Sequence, residues 1–185
     1  MDALTGNILV AMPNIGDPRF ARSVILVCAH SDDYAMGLVL NKPMDDLKLP
    51  ELFTQLGIQQ DIKLPETYVL DGGPVATDRG FVVHSGDYYS DDATLDVADG
   101  VCMTATHDIL KSMASGGAPH QATMALGYAG WGAGQLEYEL AENAWLIAKP
   151  HEDIIFGLEH SRKWDRTLEL MGINSAHLYA GGGNA

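Results

Sequence analysis

Two stretches of this chain combine residue types that could do chemistry. The first is Leu126 to Glu139, LGYAGWGAGQLEYE, where Gly127, Gly130, Gly132 and Gly134 follow an apolar run and precede an acidic amphipathic segment. Strand, glycine loop, then helix is the setting in which a helix N-terminus holds an anion, because its first backbone N–H groups are unpaired. The spacing is not G-x-G-x-x-G, and no Gly-Lys-Ser/Thr follows. Gln135 and Glu137 fall in the first helical turn, where a carboxylate already favours the helix dipole and competes with a bound phosphate. The stretch reads as a structural elbow whose glycines let Tyr128 and Trp131 pack across a corner. The alternative is a small-molecule or nucleotide binder at residues 127–137. The second stretch holds Cys28 and His30. Two apart on a strand, they leave the same face, and a neighbouring imidazolium would lower the thiol pKa and make Cys28 reactive. The competing reading takes Cys28, inside VILVCA, as a small buried hydrophobe.

Other reactive sets are incomplete. His30, His84, His107, His120, His151, His160 and His177 form no H-x-x-x-H or H-E-x-x-H pair, so no zinc site is expected. No Gly-x-Ser-x-Gly turn supports a serine hydrolase, and no cofactor is expected. Glu137, Glu139 and Glu142 read as a solvated helix face.

The charge balance narrows the partners. Eleven Lys and Arg stand against 25 Asp and Glu, a net of -14. Such a surface repels phosphate backbones, and no basic patch offsets it, so direct nucleic-acid binding is not expected. The Arg162, Lys163 and Arg166 group reads as a solvated helix face, with Glu159 and Lys163 as an i,i+4 pair. With 46% apolar and 19% charged residues over 185, the composition is that of a globular chain with a real core. Two cysteines make no disulfide framework, and neither a signal peptide nor a membrane span of about 20 residues is seen. The expected location is cytoplasmic.

The elements that must position these residues follow from periodicity and turn chemistry. Asn7 to Met12, Ser23 to His30 and Ala35 to Leu40 read as strands, the last two as an antiparallel hairpin across SDDY, with Asn41-Lys42-Pro43 ending the second. Further strands are expected at Thr67 to Leu70, Gly80 to His84, Val101 to Thr104, Ala122 to Leu126 and Ala144 to Ala148. Gly86 to Asp99 reads as acidic and turn-prone. Helices are expected over Leu49 to Leu56, from Thr106 to Gly116, near Ala133 to Glu142, and near Glu159 to Met171. Residues 181–185 read as a loose tail. Strands crowd the first half and helices are added unevenly, which indicates a single α+β domain over residues 1–185 rather than a doubly wound sheet.

The blocks DPRFARSVILVCAH, AMGLVLNKP, GGPVATDRGFVVH and LGYAGWGAGQLEYEL, followed by Asn143 and Trp145, together resemble the YqgE/AlgH family of bacterial proteins. The resemblance runs in register from Leu9 to about Gly172; only the tail, Gly183-Asn184-Ala185, departs from the family's ending. It implies one α+β domain on a bent, bifurcated, largely antiparallel sheet with helices packed around it. It also implies a cytosolic bacterial protein of no assigned reaction, part of whose family carries the label of transcriptional regulator. No helix-turn-helix pattern or basic face supports DNA reading, so a regulatory role would act through a protein partner.

Among the positions matching the family blocks, Asn41, Lys42, Arg79, His84, Gln135 and Glu137 are polar side chains that turn chemistry does not require. With Tyr128 and Trp131 they make a candidate binding groove beside the glycine elbow. The competing arrangement is a buried polar network pinning the sheet, with Arg79 paired to Asp17 or Glu137. Three functional readings follow. The leading one is a non-enzymatic binding or regulatory module working through protein contacts. The others are a small-ligand binder at the elbow and a thiol-dependent enzyme or redox sensor at Cys28.

Overall fold

Short runs of β-branched and aliphatic residues set the frame. The computed structural model describes residues 4–182. Strand β1 (Ile8–Ala11) pairs antiparallel with β2 (Val24–His30), and β2 with β3 (Tyr34–Val39), with Ile25 opposite Val39. The expected hairpin is therefore present. β4 (Pro43–Lys48), helix α1 (Leu49–Gln55) and β5 (Tyr68–Asp71) come next, followed by β6 (Val75–Ser85), β7 (Thr94–Ala98) and β8 (Val101–Thr104). Helix α2 (His107–Ala114) leads to β9 (Ala122–Gly132), α3 (Gln135–Ala141) and β10 (Trp145–Ala148). Helices α4 (Glu152–Phe156), α5 (Lys163–Leu170) and α6 (Ser175–Gly182) close the described chain.

The main sheet runs β10-β1-β2-β3-β9-β6-β8-β7, all antiparallel, with β4 and β5 attached through a parallel β5–β9 contact. It is bifurcated at β9. Leu70 and Asp71 of β5 pair with Ala125 and Leu126, whereas Tyr34 to Gly37 of β3 pair with Gly132 to Ala129. Gly72 bridges the fork: its N–H donates to the Leu126 carbonyl at 2.8 Å, and its own carbonyl accepts from Val39 N–H at 2.9 Å.

The sheet curls into a half-barrel, which brings its two ends into one cluster of Ile8, Leu26 and Leu38 with Phe81, Val97 and Met103. Ile154, Ile155, Trp164 and Leu168 of α4 and α5 fill the same interior. On the outside, α1 and α2 cover Val69, Val82 and Met124, and α3 covers Leu9, Val27 and Trp131. Among the described residues no helix is long and apolar enough to cross a membrane.

Several elements differ from expectation. The acidic stretch after Gly86 contributes edge strand β7, and a further edge strand, β4, begins at Pro43 just after β3 ends where expected. Pro43 is compatible with β4 because it opens an edge strand, where no ladder N–H is demanded of it. The helix expected from Glu159 is a 3-10 turn (His160–Arg162) followed by α5. Of the expected tail, Gly181 and Gly182 end α6, and residues 183–185 lie outside the described residues.

Candidate functional site

The glycine stretch is not a loop before a helix. β9 continues through Gly127, Gly130 and Gly132, and only Gly134 sits in the turn that starts α3. Gly127 has φ +78 and marks the fork. A Cβ there would collide with the Gly73 carbonyl, and a Cβ on Gly73 would collide with the Tyr128 carbonyl, so backbone crosses backbone at this point. Opposite it, residues 76–79 of β6 bulge out between the pairs Val75–Tyr128 and Gly80–Leu126. No phosphate cradle forms: α3 has Glu137 in its first turn, and the Gln135 Oε1 already accepts the Gly132 N–H at 3.0 Å.

The eight candidate groove residues do not share one groove. Asn41 bridges the β2 entry, accepting from Val24 N–H at 3.0 Å and donating to the Arg22 carbonyl at 2.8 Å. Lys42 Nζ donates to the Ala21 carbonyl at 2.7 Å, and burial, reinforced by Arg22, lowers its pKa. Both residues serve architecture. His84 is buried: Nδ1 donates to the Ser85 carbonyl at 2.8 Å, which leaves Nε2 to accept from the Thr104 hydroxyl at 2.7 Å. Burial lowers its pKa and holds the ring neutral. Glu137 faces His30 at 3.4 Å. Arg79 is exposed on the β6 bulge with its guanidinium 5.3 Å from the Phe81 ring centroid. The competing pairing of Arg79 with Asp17 or Glu137 is not formed: Asp17 pairs with Arg19 at 2.7 Å, and Glu137 faces His30.

The reactive-thiol reading fails on geometry. Val27 stands opposite Gly37 but Ala29 opposite Met36, so Cys28 is the extra residue of a β-bulge. That residue breaks the alternation on which the same-face argument rests. Cys28 turns into the half-barrel with Leu26 and Leu38, whereas His30, opposite Ala35, falls on the Trp131 and Leu136 face. Cys28 is 2% exposed, and burial pushes its thiol up to about 12.

Two cavities flank the end of β9. One, of about 400 Å3, lies between the Ile15–Phe20 loop, Pro74 and α3. Trp131 and Trp145 meet edge to face at 6.1 Å, and Phe20 meets Trp145 at 5.9 Å. Glu139 Oε1 accepts both indole N–H groups, at 3.0 Å and 2.9 Å, and Oε2 accepts from Gln135 at 2.9 Å. Glu139 is therefore a structural anchor and not part of a solvated face. The i+4 step from Gln135 could have suggested one of these bonds; the two indoles could not be seen from spacing.

The other cavity, of about 570 Å3, is the open mouth of the half-barrel. Tyr34 and Met36 of β3, Phe81 and Arg79 of β6, and Leu95 and Met103 from β7 and β8 form its walls. Tyr128 stacks edge-on against Phe81 at 5.8 Å. Gly130 and Gly132, beyond Tyr128 on the same side of β9, leave backbone without side chain next to Met36 and Tyr34. Tyr34 (51%), Leu95 (48%) and Val75 (39%) stand exposed around this opening. Of the candidate residues, the mouth gathers Arg79, Tyr128 and Trp131. Sequence reasoning missed its other walls, which come from strands distant in the chain.

A Ser–Asp–His cluster also escaped the sequence. Ser85 Oγ donates to Asp87 at 2.5 Å, and His120 Nδ1 lies 3.2 Å from Ser85 Oγ and 3.1 Å from Asp87 Oδ2. A relay needs opposite ring nitrogens on nucleophile and acid, and here one nitrogen faces both. The N–H groups of His120 and Gln121 donate to the same two side chains, so the cluster ties the start of β9 to the end of β6. Among the described residues, no group of three or more His, Cys, Asp or Glu is placed to hold a metal.

A family model described as AlgH-like (DUF179) matches residues 8–176. A UPF0301 protein of Caulobacter vibrioides is 50% identical over 98% of this chain and 94% of its own length. A UPF0301 protein of Rhodopseudomonas palustris is 49% identical over 100% of this chain and 88% of its own. The solution structure of the AlgH protein from Pseudomonas aeruginosa is similar, with TM-score 0.77 and 38% identity over 96% of this chain and 93% of that one. A Corynebacterium diphtheriae protein at 21% identity and TM-score 0.69, covering 90% of this chain and 86% of its own, shares the fold.

Proposed function

The chain belongs to the AlgH-like family, and we propose that it works as a non-enzymatic binding module whose working face is the open mouth of the half-barrel. One observation carries this reading: the exposed Tyr34, Val75 and Leu95 surround a concave, largely apolar opening with Met36, Met103 and Tyr128 inside it. Exposed apolar groups gathered in one concavity are a feature of contact sites, and methionine and tyrosine are adaptable contact residues. The alternatives have weaker support. Cys28 is sealed, and Ser85, Asp87 and His120 are arranged as a brace. The partner is another protein, in keeping with the acidic surface. A regulatory role would be exercised through that contact. Site-specific photo-crosslinking tests the reading: a probe at Leu95 captures a partner, whereas one at Tyr138 on exposed α3 does not. Equal capture from both positions overturns it.

A small ligand remains a second reading, moved from the elbow to the cleft walled by Trp131, Trp145 and Phe20. A ligand that quenches tryptophan fluorescence and raises Tm would support it; a broad panel without either effect would remove it.

A further inference from the structure

We infer that the segment received by the mouth is basic and amphipathic: apolar side chains that enter the opening, flanked by lysine or arginine. This rests on the mouth being the contact face and adds the chemistry of the partner. Apart from Arg79 the lining is uncharged and largely apolar, while the chain beside its walls is acidic. Asp32 and Asp33 immediately precede Tyr34, Asp91 and Asp92 immediately precede Ala93, and Asp78 precedes Arg79; all five aspartates are exposed. Arg79 is the one cation among the lining residues, and its guanidinium is drawn over the Phe81 ring.

Charge complementarity chooses among occupants. A second copy of this chain would set aspartate-flanked rim against aspartate-flanked rim, with a net of -14 on each side. An acidic segment meets the same repulsion. A basic segment gains steering from the whole surface as well as from the rim, and its apolar residues cover Tyr34, Leu95 and Met36.

A random peptide display library, selected on the intact immobilised protein, tests this without presuming a sequence. Enriched peptides should carry net positive charge around clustered Leu, Ile, Phe or Met. Their binding should weaken at least about tenfold in the Tyr34→Ala, Leu95→Ala double variant. It should also weaken, and lose salt dependence, when Asp32, Asp33, Asp91 and Asp92 are replaced by Asn. All six sites are exposed, and circular dichroism verifies that each variant is folded. Neutral or acidic winners, binding indifferent to both variants, or no enrichment at all would each overturn the inference. Photo-crosslinking from Leu95 separates the two levels. If it captures a partner while the library yields no basic winners, the mouth stands as the contact face and only the stated chemistry falls.

Discussion

Lys163 opens α5 yet is only 3% exposed, its ammonium inside the half-barrel with one hydrogen bond, to the Leu40 carbonyl at 2.9 Å. Burial pulls its pKa from 10.5 down to about 7. At about 1.4 kcal/mol per pH unit, that gap corresponds to roughly 5 kcal/mol of pH-linked penalty on the folded state. The sign is fixed by which state binds more protons. Between about pH 7 and 10.5 the unfolded chain holds the proton and the folded chain sheds it, so stability rises with pH across that window. Near pH 7 most of the penalty is in force. Lys163→Met removes it, loses a hydrogen bond of about 1 kcal/mol, and keeps most of the side-chain volume. The variant should therefore be more stable by about 1–4 kcal/mol near pH 7, with the advantage shrinking toward about pH 9. Urea unfolding at both pH values reads this as a shift of the midpoint at constant m-value. A methionine variant less stable near pH 7, or an advantage that does not depend on pH, would refute the reasoning.

Other expectations follow from the same packing. Near pH 8, Cys28 in native protein should react with iodoacetamide at least roughly a thousandfold more slowly than a free thiol, because burial raises it from 9.0 to about 12; labelling at an ordinary rate would contradict the buried bulge. Glu139→Ala should cost about 2–4 kcal/mol and shift tryptophan emission to the red, since both indole N–H groups lose their acceptor; a loss below about 0.5 kcal/mol would show that the cluster is not an anchor. Asp87 is held at about 2, chiefly by the Ser85 hydroxyl, so wild-type stability should fall as pH drops from about 4 to 2, and fall less in Asp87→Asn. Equal acid sensitivity of the two would remove the brace at the start of β9. Gly127→Ala should abolish folding, seen as loss of near-ultraviolet dichroism, because its φ is +78 and its Cβ meets the Gly73 carbonyl; a native-like variant would mean that the fork is not tightly crossed.

The sequence carried the β2–β3 hairpin, α1 and α2 because local runs specify them: VILVCA against AMGLVL, and Leu49, Leu52 and Phe53 at helical spacing. It could not carry the fork. Glycines permit a bent strand as readily as a loop, and only the distant Gly72-Gly73 turn decides between them. Alternation assigned Cys28 and His30 to one face because it assumes an unbroken ladder, and the bulge is a property of pairing with β3. Lys163 looked solvated because i,i+4 spacing does not say which face of α5 meets the core; Trp164, Thr167 and Leu168 turn that face inward. The family resemblance was sound for the fold, and the polar residues at its matching positions are spread among clamps, a buried histidine and two cavity walls. The mouth itself is built from strands far apart in the chain, so only tertiary structure assembles it.

The most direct test of the central claim is a photo-crosslinking scan in living cells. Probes would stand one at a time at Tyr34, Val75 and Leu95 around the mouth, and at Ile62, Tyr138 and Leu170, exposed residues outside its lining. A binding module that works through the half-barrel mouth predicts one protein adduct common to the first three positions and absent from the other three. Adducts from Ile62, Tyr138 or Leu170 with none from the mouth would contradict it.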